Sequence, residues 1–146
     1  MKLYFAGPLF TPYERAFIDD GAARLRAAGF DVFVPHESIL ATAQTTPAQV
    51  FEHDRDAIAG ANALVALLDG PSVDDGTACE IGLFYGLKQR DPERSGVVGL
   101  LTDLRGERRG EFAINLFVRG CIDASGGAVV DSLDDAIAIL GRWRSD

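Results

Sequence analysis

The 146-residue chain is 47 % hydrophobic with a formal charge of −8, enough for one compact domain and too short for two comfortable ones. The acidic balance excludes a nucleic-acid backbone as partner, because such sites need clustered Lys and Arg, and no run approaches the roughly 20 apolar residues of a membrane span. Two cysteines, Cys79 and Cys121, and two histidines, His36 and His53, are too scattered for a disulfide framework or a metal site. The expected partner is a small polar molecule.

The opening MKLYFAGPLF is too brief for a signal peptide and lacks a cleavage region, so it reads as the first strand of a cytoplasmic protein. LYFAG (3–7) begins a series of β-favouring runs bounded by Gly, Pro or Asp. YERAFIDDGAARLRAAGF follows with helical spacing; Phe17, Ala22, Leu25 and Ala28 share one face and Gly29 supplies the C-cap. After the strand DVFVP (31–35), TPAQVFEHDRDAIAGA opens a helix with Thr46 as N-cap and Pro47 at its first position. ALVALLD (63–69), apolar almost throughout, suits a central strand buried on both faces. The helix TACEIGLFYGLKQR, the strand GVVGLL (96–101), the helix EFAINLFVRG and the strand AVVD (128–131) come next. SLDDAIAILGRW closes the series, opening on Ser132 with Asp135 three residues later. Five strand–helix alternations predict a single α/β domain over residues 1–146: a doubly wound, Rossmann-like parallel sheet in the order 2-1-3-4-5. In such a sheet the ligand sits beyond the carboxyl ends of strands 1 and 3, where strand order reverses. Those ends carry AGPLF and DGPSVDDGTACE.

Four acids crowd the second of these segments. TACE is a Thr-x-x-Glu capping box in which Glu80 reaches back to the Thr77 N–H. The competing reading uses Glu80 in the first helical turn, kept ionised by the helix dipole, as a nucleophile or electrostatic stabiliser. Asp75-Gly76 signals a turn, which leaves Asp74, six residues before Glu80, free to share a small cavity with it and to split acid and base roles. Asp69 either terminates strand 3 or joins that cavity. Across from them, Gly7 lets the backbone come close to a ligand, and the Tyr4 phenol either packs or donates to a carboxylate. Phe10 either plugs the core or stacks on a flat ring. TDLRGERRGEF (102–112) reads as a solvated loop, with a lid as the other possibility, and Asn115 as a buried amide in need of partners. Neither G-x-G-x-x-G nor G-x-x-x-x-G-K occurs, which argues against dinucleotides and nucleoside triphosphates.

KLYFAGPLF, DGPSVDDGTACEIGLFYG and INLF followed by Gly, in that order from Tyr4 to about Leu140, resemble the nucleoside 2-deoxyribosyltransferases. The D-x5-E-x-G element is the specific part. The resemblance implies that Glu80 attacks the anomeric carbon of a 2′-deoxynucleoside to form a covalent deoxyribosyl-enzyme, which a second nucleobase resolves, a nucleobase-salvage reaction. It assigns Asp74 to protonate the leaving base, Asp69 to the base and sugar side, and Tyr4 to orient the nucleophile. Asn115 is then offered to the sugar of a neighbouring subunit, so the implied partners are a 2′-deoxynucleoside, a free nucleobase and further copies of the chain. No metal or organic cofactor is implied. Two features depart from the family: the tail GRWRSD has no terminal aromatic residue, and PHESILATAQ after strand 2 gives no base-recognition match.

Two rival readings remain. An N-glycosidic hydrolase of (deoxy)nucleosides or their 5′-monophosphates would need phosphate contacts, for which Thr11, Arg15 and Ser72 are the candidates. A non-catalytic nucleoside- or nucleotide-binding module would leave the acids after strand 3 surplus.

Overall fold

The computed structural model describes residues 1–38, 45–104 and 113–145. Five parallel strands form one sheet in the order β2-β1-β3-β4-β5, as the alternation predicts. They are β1 (Lys2–Ala6), β2 (Asp31–Phe33), β3 (Ala63–Leu67), β4 (Val97–Leu100) and β5 (Ala128–Val130). The described helices are α1 (Pro12–Ala27), α2 (Pro35–Ser38), α3 (Pro47–Gly60), α4 (Asp75–Lys88), α5 (Leu116–Ala124) and α6 (Leu133–Ser145).

Strand side chains alternate between faces, and the two cores follow that alternation. Leu3, Phe5 and Val65 pack with Ile18 and Leu25 of α1 and Leu140 of α6. Tyr4, Ala6 and Leu64 face the other way, among Ile58 of α3, Phe84 of α4 and Ile122 of α5. Every residue of β3 is buried, as its unbroken apolar run predicts. Gly21 lets α1 close on β1, since a Cβ there would lie 2.8 Å from the Phe5 ring.

The helix ends depart from the sequence reading in three places. The buried stripe of α1 is Ile18, Gly21, Ala22 and Leu25, with Phe17 38 % exposed; the helix is set by a Thr11–Glu14 capping box, which turns Phe17 to the rim. Thr77 is not an N-cap. Asp74 holds that place, accepting from the Thr77 N–H at 3.0 Å and its hydroxyl at 3.1 Å, so Thr77 is buried inside the helix and Glu80 leaves the first turn. Asn115 is not a buried helical amide but the exposed N-cap of α5, accepting from Phe117 N and Val118 N. Elsewhere the caps follow prediction: Thr46 and Pro47 open α3, Ser132 accepts from Asp135 N, and Gly29 takes a left-handed φ of 88° after α1. Most of the predicted 102–112 loop and the end of PHESILATAQ lie outside the described residues.

Candidate active site

The Tyr4 hydroxyl donates to Glu80 Oε1 at 2.5 Å, across 76 positions of sequence. Two periodicities produce the meeting. Tyr4 points to the α4 face of β1, and Glu80 lies in the second turn of a helix packed on that face, next to buried Ile81 and Phe84. Tyr4 is fully buried, and the Phe33 ring stacks on it at 5.4 Å between centroids and 18° between planes.

Burial pushes the Glu80 carboxyl up to about 7, with the charges of Asp54 and Asp74 adding to the rise and the Tyr4 bond opposing it. The dipole-held, fully ionised Glu80 of the sequence reading therefore gives way to a carboxyl poised near neutrality. The cause is the change of cap: from the second turn the helix dipole offsets little of the desolvation. Burial, and then Glu80, push the Tyr4 phenol far above its ordinary range, so it donates at all working pH.

Glu80 opens into a cavity of about 490 Å³, within the size range of small-molecule sites. Gly7, Leu9, Phe10, Val50, Pro35 and His36 form much of its wall, with Asp54, Asp74 and Arg15 as charged members. It lies beyond the carboxyl ends of β1 and β3, at the switch point of the strand order. Gly7 is held to glycine by the core behind the cavity: a Cβ there would lie 2.7 Å from Ile18 Cδ1 and 3.1 Å from Leu67 Cβ. Phe10 is 76 % exposed and stands at the rim, so it is no core plug.

Of the residues singled out in the sequence, Glu80, Asp74, Tyr4, Gly7 and Phe10 converge here. Asp69 and Asn115 do not. The Asp69 carboxylate accepts from Thr102 N at 2.6 Å, the Thr102 hydroxyl at 2.5 Å and Asp103 N at 2.9 Å. These bonds tie the end of β3 to the turn after β4, and Asp69 borders a neighbouring cleft. Asp69→Ala should lower stability by about 2–4 kcal/mol for the lost charge-assisted bonds, read as a fall in Tm of roughly 10 °C. An unchanged Tm with a raised KM would return Asp69 to the substrate side.

Asp54 and His36 were not singled out. Asp54 sits one helical turn before buried Ile58, so the i, i+4 spacing itself placed it on the sheet-facing stripe of α3. His36 follows β2 at the carboxyl edge, with its Nε2 2.7 Å from Asp19 Oδ1. The α3 helix that carries Asp54 is anchored by Arg94, whose guanidinium donates to the carbonyls of Ala59 and Ala61 at 2.6 Å each. Among the described residues, no group of three or more His, Cys, Asp or Glu side chains is arranged to hold a metal ion, and no helix is long and apolar enough to cross a membrane.

Solved structures share the architecture. A conserved protein from Enterococcus faecalis V583 is 28 % identical, with 97 % of this chain and 98 % of that one covered at a TM-score of 0.80. The 2-deoxyribosyltransferase of Bacillus psychrosaccharolyticus is 23 % identical, covering 94 % and 90 % at 0.70. The CMP N-glycosidase of Clostridium botulinum is 20 % identical, covering 98 % and 99 % at 0.62. No curated protein sequence matches the chain. The profile of one family matches residues 3–131, which hold all of the cavity's walls, and the chain therefore belongs to the nucleoside 2-deoxyribosyltransferase family.

Proposed function

We propose that the chain transfers a 2-deoxyribosyl group between nucleobases through a covalent intermediate on Glu80. The supporting observation is the Tyr4–Glu80 bond of 2.5 Å at the wall of a cavity that two further carboxylates, Asp54 and Asp74, also face. In the first half-reaction a Glu80 oxygen lone pair attacks C1′. The C1′–N bond breaks with its electron pair going to the base, and Asp74, entering this step protonated on Oδ1, the oxygen not engaged by Thr77, supplies the proton that neutralises the leaving nitrogen. The second half runs in reverse, with the entering base losing its proton to Asp74 as it attacks C1′ and frees Glu80. Tyr4 keeps one carboxylate oxygen fixed while the other reacts. Asp54 faces the same cavity and orients the base, the duty that resemblance assigns to Asp69. Phe10 and Val50 offer apolar surface to a flat ring.

A hydrolytic reading, like the activity named for the clostridial relative, draws on Arg15, a cation in the wall. Its guanidinium donates to Leu9 O at 2.7 Å, and the Thr11 N–H that would greet a phosphate donates to Glu14 instead. Ser72 borders a cleft shared with Glu14, Asp69, Asp74 and Asp75. This is poor anion chemistry, and it favours an unphosphorylated donor.

The deciding measurement follows 2′-deoxyinosine with and without adenine by chromatography. Transfer yields deoxyadenosine when adenine is present, and hypoxanthine without acceptor marks hydrolysis. The site is further proposed to be completed by a second copy through Asn115, whose neighbours Leu116 and Phe117 are 58 % and 80 % exposed. Mixing Glu80→Ala with Asn115→Ala, each weak alone, should then restore activity; no restoration counts against a shared site.

A further inference from the structure

We propose that His53 is a second positioning residue beside Tyr4, fixing the Asp54 carboxylate toward the base through the His53 Nδ1–Asp54 Oδ1 contact of 3.0 Å. The inference rests on the transfer reading above and adds to it a residue outside the cavity wall.

Neighbours in a helix point about 100° apart and do not ordinarily face each other. A bond between positions 53 and 54 therefore needs the imidazole folded across the helix surface and kept there. Phe33 keeps it: the two rings lie 5.1 Å apart at 48°. Phe33 in turn stacks on Tyr4, which holds Glu80. One continuous line of contacts thus runs from the nucleophile under the sheet edge to Asp54, with His53 as its last member.

Both side chains are largely withdrawn from water, 25 % exposed for His53 and 19 % for Asp54. In that setting a hydrogen bond to a carboxylate keeps more of its strength than at the surface. The carboxylate accepts, so the ring carries its proton on Nδ1. With Oδ1 held by the imidazole, Oδ2 is the oxygen left to meet a ligand in the cavity that Asp54 lines. Asp54 would otherwise be free to rotate, because it carries no helix-capping duty of the kind that fixes Asp74. A carboxylate that must meet a planar base gains from being held in one rotamer, since small losses of alignment cost large factors in rate.

Two substitutions separate the hydrogen bond from the packing. His53→Phe keeps a ring against Phe33 and removes the donor. His53→Asn places an amide N–H near Nδ1 and removes the ring. In deoxyribosyl transfer from 2′-deoxyinosine to adenine, His53→Phe should lower kcat about 10-fold or more with KM changed less than about threefold, the pattern of a lost transition-state contact. His53→Asn should stay within about threefold of the wild type. In an Asp54→Asn background His53→Phe should have no further effect, because non-additivity is the mark of one residue acting through another.

Equal losses in both backgrounds, or Asn no better than Phe, would show a merely structural His53 and overturn the inference. Wild-type protein that releases neither deoxyadenosine nor hypoxanthine would instead sink the transfer reading. The inference is then still tested by calorimetric binding of hypoxanthine to Glu80→Gln protein, which His53→Phe should weaken about fivefold or more and His53→Asn should not. Unchanged binding in both overturns it.

Discussion

Glu80→Gln is expected to abolish deoxyribosyl transfer and, above pH 7, to raise the stability of the fold. The first half follows from the chemistry: an amide cannot form the glycosyl ester, so turnover should fall by about 10⁴-fold or more. The second half follows from burial. The Glu80 carboxyl goes from an ordinary 4.5 to about 7 in the folded chain. Below about pH 4.5 it is protonated in both the folded and the unfolded chain, and the contribution is neutral. As pH rises, the unfolded chain gives up its proton first, and the folded chain must hold or lose it at a cost. That cost grows through pH 7 and then levels off, at roughly 3 kcal/mol for the shift involved. Gln is uncharged at every pH and still accepts from Tyr4. The Tm gain over wild type should therefore be near zero at pH 4.5 and roughly 10 °C at pH 8.5. Equal Tm differences at both pH values would mean that Glu80 is not desolvated as its surroundings require. Stability given up at one carboxylate is what a nucleophile held away from water entails.

The parts of the site carried by sheet topology were legible in the sequence. The switch-point rule put the ends of β1 and β3 together, and the side chains named at those ends, Tyr4, Gly7, Asp74 and Glu80, do meet around one cavity. The parts decided by competition between neighbouring acids were not. Thr77 and Asp74 both have cap chemistry, and only packing shows that Thr77 is buried and Asp74 takes the helix end. Asp69 was left open between strand terminator and cavity member, with resemblance alone putting it on the substrate side, because nothing local reveals that the Thr102 and Asp103 amides, 33 and 34 positions away, donate to it. Asp54 was passed over for the opposite reason: in EHDRD it is one of several charges on a helix that reads as solvated, and its inward turn is visible only in register with Ile58. Asn115 was misjudged by its apolar neighbours, two of which, Leu116 and Phe117, are themselves exposed.

Tyr4→Phe should move the acid limb of kcat/KM to higher pH. That limb reports the free enzyme's Glu80, which must be ionised to attack. The Tyr4 bond lowers the Glu80 carboxyl against the combined push of burial, Asp54 and Asp74. Removing the donor removes the one opposing influence, so the carboxylate is harder to form. A charge-assisted bond of this kind contributes about 1.5–3 kcal/mol, equivalent to a shift of roughly one to two pH units. At pH 7, where the wild-type carboxyl is about half ionised, the rate should drop by about 5- to 50-fold from ionisation alone. Asp54→Asn, which removes a repelling charge, should move the limb the other way. The two variants thus separate electrostatic tuning from loss of shape, because damage to the pocket lowers the plateau and leaves the limb in place. If Tyr4→Phe is still far below wild type at pH 9, where at least about half of Glu80 is ionised in both proteins, the phenol also aligns the nucleophile. If the limb does not move at all, the ionisation that gates the reaction belongs to some group other than Glu80.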